Sequence, residues 1–326
     1  SGDHEAEPDA CEGFWSEAEV NVLLSSVSRK VSLARTWKAA CNSKGFRLIV
    51  ADMNASCPGM YEGDNAIRLP ALDSEAFKIA VRAACRQFDI HLVVPTRDEE
   101  LLAFAEWKAE FAKLGVRLLV PSLETVQLCQ DKIRFSCWCV EKGFKVAHIY
   151  GDEDLVFPVF MRSRRGKGGS AAVRVTDIDD YHRYLRRFGP MDCITQELVR
   201  APEFSVDVYA TEKGQVISAV PRQRVQIVGG ESWWTSTVEN YALQQETVKL
   251  AQALELTGHA VLQCFVRDGE ILWIECNPRF GGASALAFEA GCNSAGWLTG
   301  DKIPTPLAPY EVGLTMLRYT QDRFVR

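Results

Sequence analysis

The chain contains no apolar run near the roughly 20 residues that a membrane-spanning helix needs, and no secretory signal is read at its start, so the expected setting is the cytoplasm, away from membranes. Its eleven cysteines are odd in number and scattered without framework spacing, which fits a reducing compartment and excludes a disulfide scaffold. Cys137-Trp138-Cys139 has no second pair at zinc-finger distance and reads as buried helix cysteines. The five histidines are dispersed, with no paired ligand spacing, and none is given a catalytic role. No Gly-x-Ser-x-Gly elbow is present, which removes the anchor of a serine-hydrolase reading. A formal charge of −6 over 326 residues argues against wholesale nucleic-acid binding.

The turn after the first apolar strand, Ser25-Ser26-Val27-Ser28-Arg29, lacks the Gly-x-Gly-x-x-Gly that lets a dinucleotide pyrophosphate approach the backbone, and NAD binding is excluded. Two uses stay open for that turn. Its hydroxyls and Arg29 could hold a carboxylate at a helix N-terminus, or Ser28 or Ser32 could simply cap the helix.

What is present is organised as alternating strands and helices. Residues 1–19 are acidic and poor in periodicity, and read as a flexible tail or a peripheral helix. Strand, helix and strand follow at Asn21–Ser26, Leu33–Ser43 and Phe46–Asp52, with further short strands at His91–Pro95 and Val116–Pro121, so 20–121 reads as an α/β domain with a parallel sheet. Residues 122–192 read as a small α+β unit: a helical stretch from Ser122 to Gly143, a strand Phe157–Met161 running into the basic glycine loop Arg162 to Ser170, and a helix Thr176–Phe188 opened by a Thr-x-x-Asp box. Glycines beside cations suit phosphate, because backbone amides can close on its oxygens where no side chain intervenes. The third unit, 193–326, holds strands at Cys193–Val199, Glu203–Tyr209 and Val216–Val220, a helix near Glu239–Leu256, and two strands, Ala260–Arg267 and Glu270–Asn277, flanking an Asp-Gly turn.

The segment Trp273 to Gly282, W-I-E-C-N-P-R-F-G-G, puts Glu275, Asn277 and Arg279 on one side of a strand by simple alternation. A carboxylate, an amide oxygen and a guanidinium side by side suit a divalent cation and a polyphosphate. Gln263 and Glu275 are equidistant from Gly269, so a three-residue loop, Asp268-Gly269-Glu270, sets them opposite each other, whereas a two-residue loop sets them on opposite faces. With the odd loop, Leu262, Ile274 and Cys276 pack on the other side.

Together these stretches resemble the ATP-grasp superfamily, within it the group similar to the synthetase halves of carbamoyl-phosphate synthetase, over nearly all residues from Val22 onward. The resemblance implies an ATP-grasp fold, α/β and α+β, behind an N-terminal Rossmann-like pre-ATP-grasp domain, with 122–192 as the lid subdomain and 193–326 as the metal-bearing subdomain. It also implies residue roles. Lys132 of Asp131-Lys132-x-x-Phe135, Arg162 and the loop Lys167-Gly168-Gly169 hold ATP phosphates; Gln196, Glu197 and Val199 form the adenine hinge; and Glu203 contacts the ribose. Gln263, Glu275 and Asn277 bind magnesium or manganese, and Arg279 stabilises the transferring phosphoryl group. Arg222 and Arg224, in Pro-Arg-Gln-Arg, suit the substrate carboxylate and acyl phosphate, with a solvated basic strand as the bland alternative.

The implied activity is carboxylate–amine ligation on small molecules such as amino acids or a small peptide, through an acyl phosphate, releasing ADP and phosphate. One departure matters. The carbamoyl-phosphate pattern has a histidine two residues before the position of Gly230, and this chain has Val228 there. With one module and no glutaminase segment, carbamoyl-phosphate synthesis is disfavoured. A non-catalytic ATP-binding protein is the other alternative, against which the metal-type residues stand. A homodimer or a partner subunit is expected to complete the acceptor site.

Overall fold

Strands that are apolar at every position belong between two layers, and β1 (Asn21–Ser25) is such a strand through its centre. In the computed structural model, which describes residues 20–151, 153–166 and 171–325, Val22 and Leu24 face one core and Leu23 the other. The parallel sheet around it has the order β3-β2-β1-β4-β5, with β2 at Leu48–Asp52, β3 at Asn65–Arg68, β4 at Ile90–Pro95 and β5 at Arg117–Leu118. Helices α1 (Val31–Asn42), α2 (Glu75–Gln87) and α3 (Asp98–Ala112) form the crossovers from β1 to β2, β3 to β4 and β4 to β5, while β2 and β3 are joined by a 3-10 turn at Pro58–Tyr61.

Two expectations for this region change. Neither Ser28 nor Ser32 caps α1: its N-cap is Lys30, without a side-chain cap bond. The last strand is only two residues long, because Val116 and Leu119 to Pro121 pack as irregular chain beside it.

The single helical stretch expected after Ser122 is two helices, α4 (Leu123–Gln130) and α5 (Lys132–Glu141), broken at Asp131. Asp131 has extended backbone, and its carboxylate accepts from the amides of Ile133 and Arg134, so it caps the second helix. On α5, Cys139 is buried but Cys137 is exposed, against the expectation for the pair. Strands β6 (Val159–Ser163), β7 (Val173–Val175) and β8 (Cys193–Glu197) form an antiparallel sheet in the order β7-β6-β8, and α6 (Ile178–Phe188) covers its small core. Asp177, rather than Thr176, caps α6 by accepting from the Asp180 amide, and Ile178 stays exposed.

The largest sheet runs β13-β12-β9-β10-β11-β14. It contains β9 (Glu203–Ala210), β10 (Val216–Val228), β11 (Glu231–Thr237), β12 (Gly258–Arg267), β13 (Glu270–Asn277) and the edge strand β14 (Thr315–Leu317), which sequence reasoning did not find. Helix α7 (Tyr241–Ala253) buries Leu243, Leu250 and Ala251 against one face, where Val206, Val208 and Leu262 lie. Short helices α8 (Ser284–Glu289) and α9 (Ser294–Leu298) share a core with β1, α1 and the other face of the sheet. Among the described residues no helix is long and apolar enough to cross a membrane. The acidic segment 1–19 and the loop residues Lys167, Gly168 and Gly169 lie outside the described residues.

Candidate active site

Strands β6, β12 and β13 and the start of α5 converge on Glu275. Alternation along β9 turns Glu203, Ser205 and Asp207 away from α7, and the neighbouring strands continue that polar face with Arg222 opposite Ser205 on one side and Gln263 opposite it on the other. On β13, Glu275 pairs directly with Gln263, but not through the three-residue loop. The turn is the two-residue Asp268-Gly269, with φ of 51° and 84° at its central residues, the left-handed pair that a type I′ hairpin needs.

That turn alone would set Gln263 against Ile274. A bulge corrects it: Cys264 pairs with Trp273 and Gln263 with Glu275, leaving Ile274 as the extra residue. The predicted facing is therefore right for a different reason. Trp273, rather than Ile274, joins Leu262, Cys264 and Cys276 in the core. The Ile274 carbonyl, displaced from the regular ladder, accepts from Arg162 Nη2 at 3.1 Å.

Arg162 is buried on β6. Its Nε donates to Gln196 Oε1 at 3.0 Å and its Nη1 to Glu275 Oε2 at 3.2 Å, joining the small sheet to β13. Lys132, the first residue of α5, brings its Nζ to 3.9 Å from the same carboxylate oxygen while donating to the Gly166 carbonyl at 2.9 Å. Burial pushes the Lys132 ammonium below the ordinary lysine range. Burial also pushes the Glu275 carboxyl up, but Arg162 and Lys132 outweigh it and hold the group ionised, below the usual range. Asn277 Nδ2 donates to Glu275 Oε1 at 3.1 Å. Just outside, Asp131 takes Arg164 at 2.8 Å and Arg165 at 3.2 Å, tying the start of α5 to the glycine loop.

Arg279 has a partner that sequence reasoning missed. Its Nε and Nη2 grip Asp98, at the start of α3, at 2.8 and 2.6 Å, and Nη2 also reaches Asn277 Oδ1 at 3.1 Å. Arg222 and Arg224 are buried and paired, which rules out the solvated basic strand. Arg222 Nε donates to Asp207 Oδ2 at 2.8 Å, whereas Arg224 Nη1 donates to Gln263 Oε1 at 3.0 Å and to Glu203. Burial raises the Glu203 carboxyl above its ordinary range despite Arg224.

Behind Arg222 lies a wholly buried network. His259 Nε2 is 3.1 Å from Asp207 Oδ1, its Nδ1 is 2.9 Å from Ser294 Oγ, and Ser284 Oγ donates to Asp207 as well. His259, left without a role from sequence, is part of the support of the site; the signal available was Asp207, on the same alternating face as Glu203 and Ser205. Of the hinge residues, Gln196 is taken by Arg162, Glu197 is paired with Arg267, and the Val199 amide donates to the Glu197 carbonyl at 3.0 Å.

The arrangement fits a hard divalent ion. Gln263, Glu275 and Asn277 bring side-chain oxygen atoms together on two paired strands, although the Gln263 and Asn277 oxygens accept from Arg224 and Arg279. One carboxylate with amide oxygens suits magnesium, whose shell is completed by water and phosphate oxygens.

Residues 22–119 match the family described as PylC-like, N-terminal domain, and residues 190–303 match that of ATP-grasp in the biosynthetic pathway with Ter operon. The chain has the ATP-grasp fold. It is 28% identical over 194 residues to the carbamoyl phosphate synthase large chain of Thermotoga neapolitana, covering 51% of this chain and 17% of that protein, and so spans only a small part of that relative's length. Its ATP-grasp fold is shared with biotin carboxylase from Campylobacter jejuni, at a TM-score of 0.72 and 16% identity over 90% of this chain and 74% of the other. An L-amino acid ligase from Bacillus licheniformis has a TM-score of 0.69 and 17% identity, over 85% and 72%.

Proposed function

We propose that this ATP-grasp chain is an ATP-dependent ligase that activates a small carboxylic acid, an amino acid or small peptide, as an acyl phosphate and joins it to an amine. The observation that carries the reading is Glu275. It sits ionised between Arg162 and Lys132 and opposite Gln263, a set that adenine binding alone does not require. The L-amino acid ligase among the fold's relatives supports the substrate class.

Lys132 and Arg162 would hold the phosphates, with Lys167, Gly168 and Gly169 closing over them, and Gln196, Glu197, Val199 and Glu203 would seat the nucleoside. Gln263, Glu275 and Asn277 would hold magnesium or manganese, which supplies charge neutralisation to the phosphates when bound. Arg222, and Arg224 once released from its own partners, would orient the acid. A carboxylate oxygen then attacks the γ-phosphorus in line, the bond to the ADP oxygen breaks, and Arg279, held by Asp98, would stabilise the charge on the transferring phosphoryl group. The amine, arriving neutral, attacks the acyl carbon; phosphate leaves and the amine proton goes to solvent.

The test is a screen of acid and amine pairs for ADP and phosphate release, with hydroxylamine added to trap an acyl phosphate as its hydroxamate. Hydroxamate with ADP is the expected outcome, and AMP with pyrophosphate would replace this mechanism with adenylation. Glu275→Gln should lower ADP formation about 100-fold or more while circular dichroism still reports the fold.

A further inference from the structure

Arg224 lies where the nucleotide side of the site meets the acid side. Its Nη1 serves Gln263 Oε1 and Glu203, Nε serves Ser232 Oγ at 3.1 Å, and Nη2 serves the Gly230 carbonyl at 2.6 Å. A guanidinium has about five N–H donors, and both of those on Nη1 are taken by Gln263 and Glu203. Arg222, on the same face, is committed differently: Nε to Asp207 and Nη1 to Ser232 Oγ at 3.4 Å, with no acceptor for Nη2 among the described residues. Arg222 can take a carboxylate through Nη2 as it stands, whereas Arg224 can offer Nη1 only by letting go of something.

What it must let go of is specific. Glu203 and Gln263 lie on adjacent strands, Gln263 opposite Ser205 and Glu203 opposite Phe265, and Arg224 spans them from the third strand. Under the function proposed above, Gln263 belongs to the divalent ion and Glu203 to the ribose. Both acceptors of one guanidinium nitrogen are thus groups that the metal–nucleotide claims.

We propose that Arg224 is a built-in competitor of the divalent ion for Gln263, and that its release from Gln263 and Glu203 is what frees Nη1 to hold the acid. A cation and a guanidinium at the same amide oxygen repel each other at short range, so each weakens the other's hold on it. Acid binding is therefore coupled to metal–nucleotide binding, and the coupling is reciprocal. The consequence is an order of addition, nucleotide before acid, that keeps the acid from engaging both arginines before ATP is in place. The proposal rests on the assignment of Gln263 and Glu275 to the metal.

The test titrates the full chain with manganese alone, and then with manganese and ADP, following free manganese by electron paramagnetic resonance. Arg224→Gln should tighten manganese binding about tenfold, the scale of a lost charge-assisted contact. Arg224→Lys should tighten it less, about threefold, because one ammonium cannot span the acceptors that the guanidinium holds. Glu275→Gln should weaken it. Unchanged or weaker manganese affinity in the Arg224 variants, with the Glu275 variant weakened, overturns the competition and leaves the metal assignment standing. Manganese binding indifferent to Glu275→Gln overturns the assignment and the proposal together. Should Arg224→Gln not fold, Arg224→Lys decides.

Discussion

Asp207 shows how one residue can be both structural and functional support. Burial pushes its carboxyl up, but Arg222, His259 and Ser284 outweigh that and hold it far below the ordinary range. A folded-state pKa below the unfolded one contributes stability that is fully present above the ordinary aspartate range and is lost as pH falls through the folded value. Thermal melts of the wild type should therefore fall steeply on the acid side, and Asp207→Asn should be less stable at neutral pH and flatter in acid. The neutral-pH loss should be about 3–5 kcal/mol, as for a buried charge left without its partner. An acid limb equally steep in both proteins would place the pH dependence elsewhere. Arg222 owes its orientation to this carboxylate, which sits on the face that sequence alternation marks as polar.

At the scale of the element, the β12–β13 hairpin carries two devices that offset each other in register. The Asp268-Gly269 turn gives an even loop, and the bulge at Ile274 restores the facing of Gln263 and Glu275. The place of the turn was legible from Asp-Gly, but its length was expected to be three residues; the bulge was not legible, because a single extra residue inside an apolar run leaves no compositional mark. Gly269, at φ 84°, meets nothing within 4 Å where a Cβ would be, so the cost of a substitution there is conformational alone. Gly269→Val should destabilise by about 1–2 kcal/mol in urea denaturation and leave ADP affinity unchanged, since the bulge fixes the register on the site side of the turn. A loss of ADP binding in that variant would mean that the turn, not the bulge, sets the register.

Across the whole molecule the three sheets are not equally tied together. The core holding Val22, Leu24 and Trp37 of the N-terminal unit also holds Tyr209, Val220 and Phe280 of the C-terminal unit, and Asp98–Arg279 bridges the same boundary. The three-stranded sheet has a small core of its own, Val159, Met161, Val175, Tyr181, Tyr184 and Cys193, and reaches β13 chiefly through Arg162. Opening free energy follows buried contacts. In hydrogen exchange, amides of β7 and α6 should exchange before those of β9 and β12, and ADP with magnesium should slow β6 and β8 most. Uniform protection across all three sheets would show that the small sheet opens only with the rest.

Short-range physics was readable from the sequence. Strand alternation put Glu275 and Asn277 on one face, and Asp-Gly marked the place of the hairpin, because each depends on neighbours within a few residues, whereas Arg279 lies past the end of β13. The pairing of charges was not readable in this way. Arg279 meets Asp98 across 181 residues, Arg162 meets Glu275 across 113, and Asp207 joins His259 across 52, distances that only the strand order and the docking of the N-terminal unit close. Local sequence chose which side chains face the cleft; the tertiary fold chose which cation each oxygen holds, since an ion pair is set by distances in space that alternation along one strand does not specify.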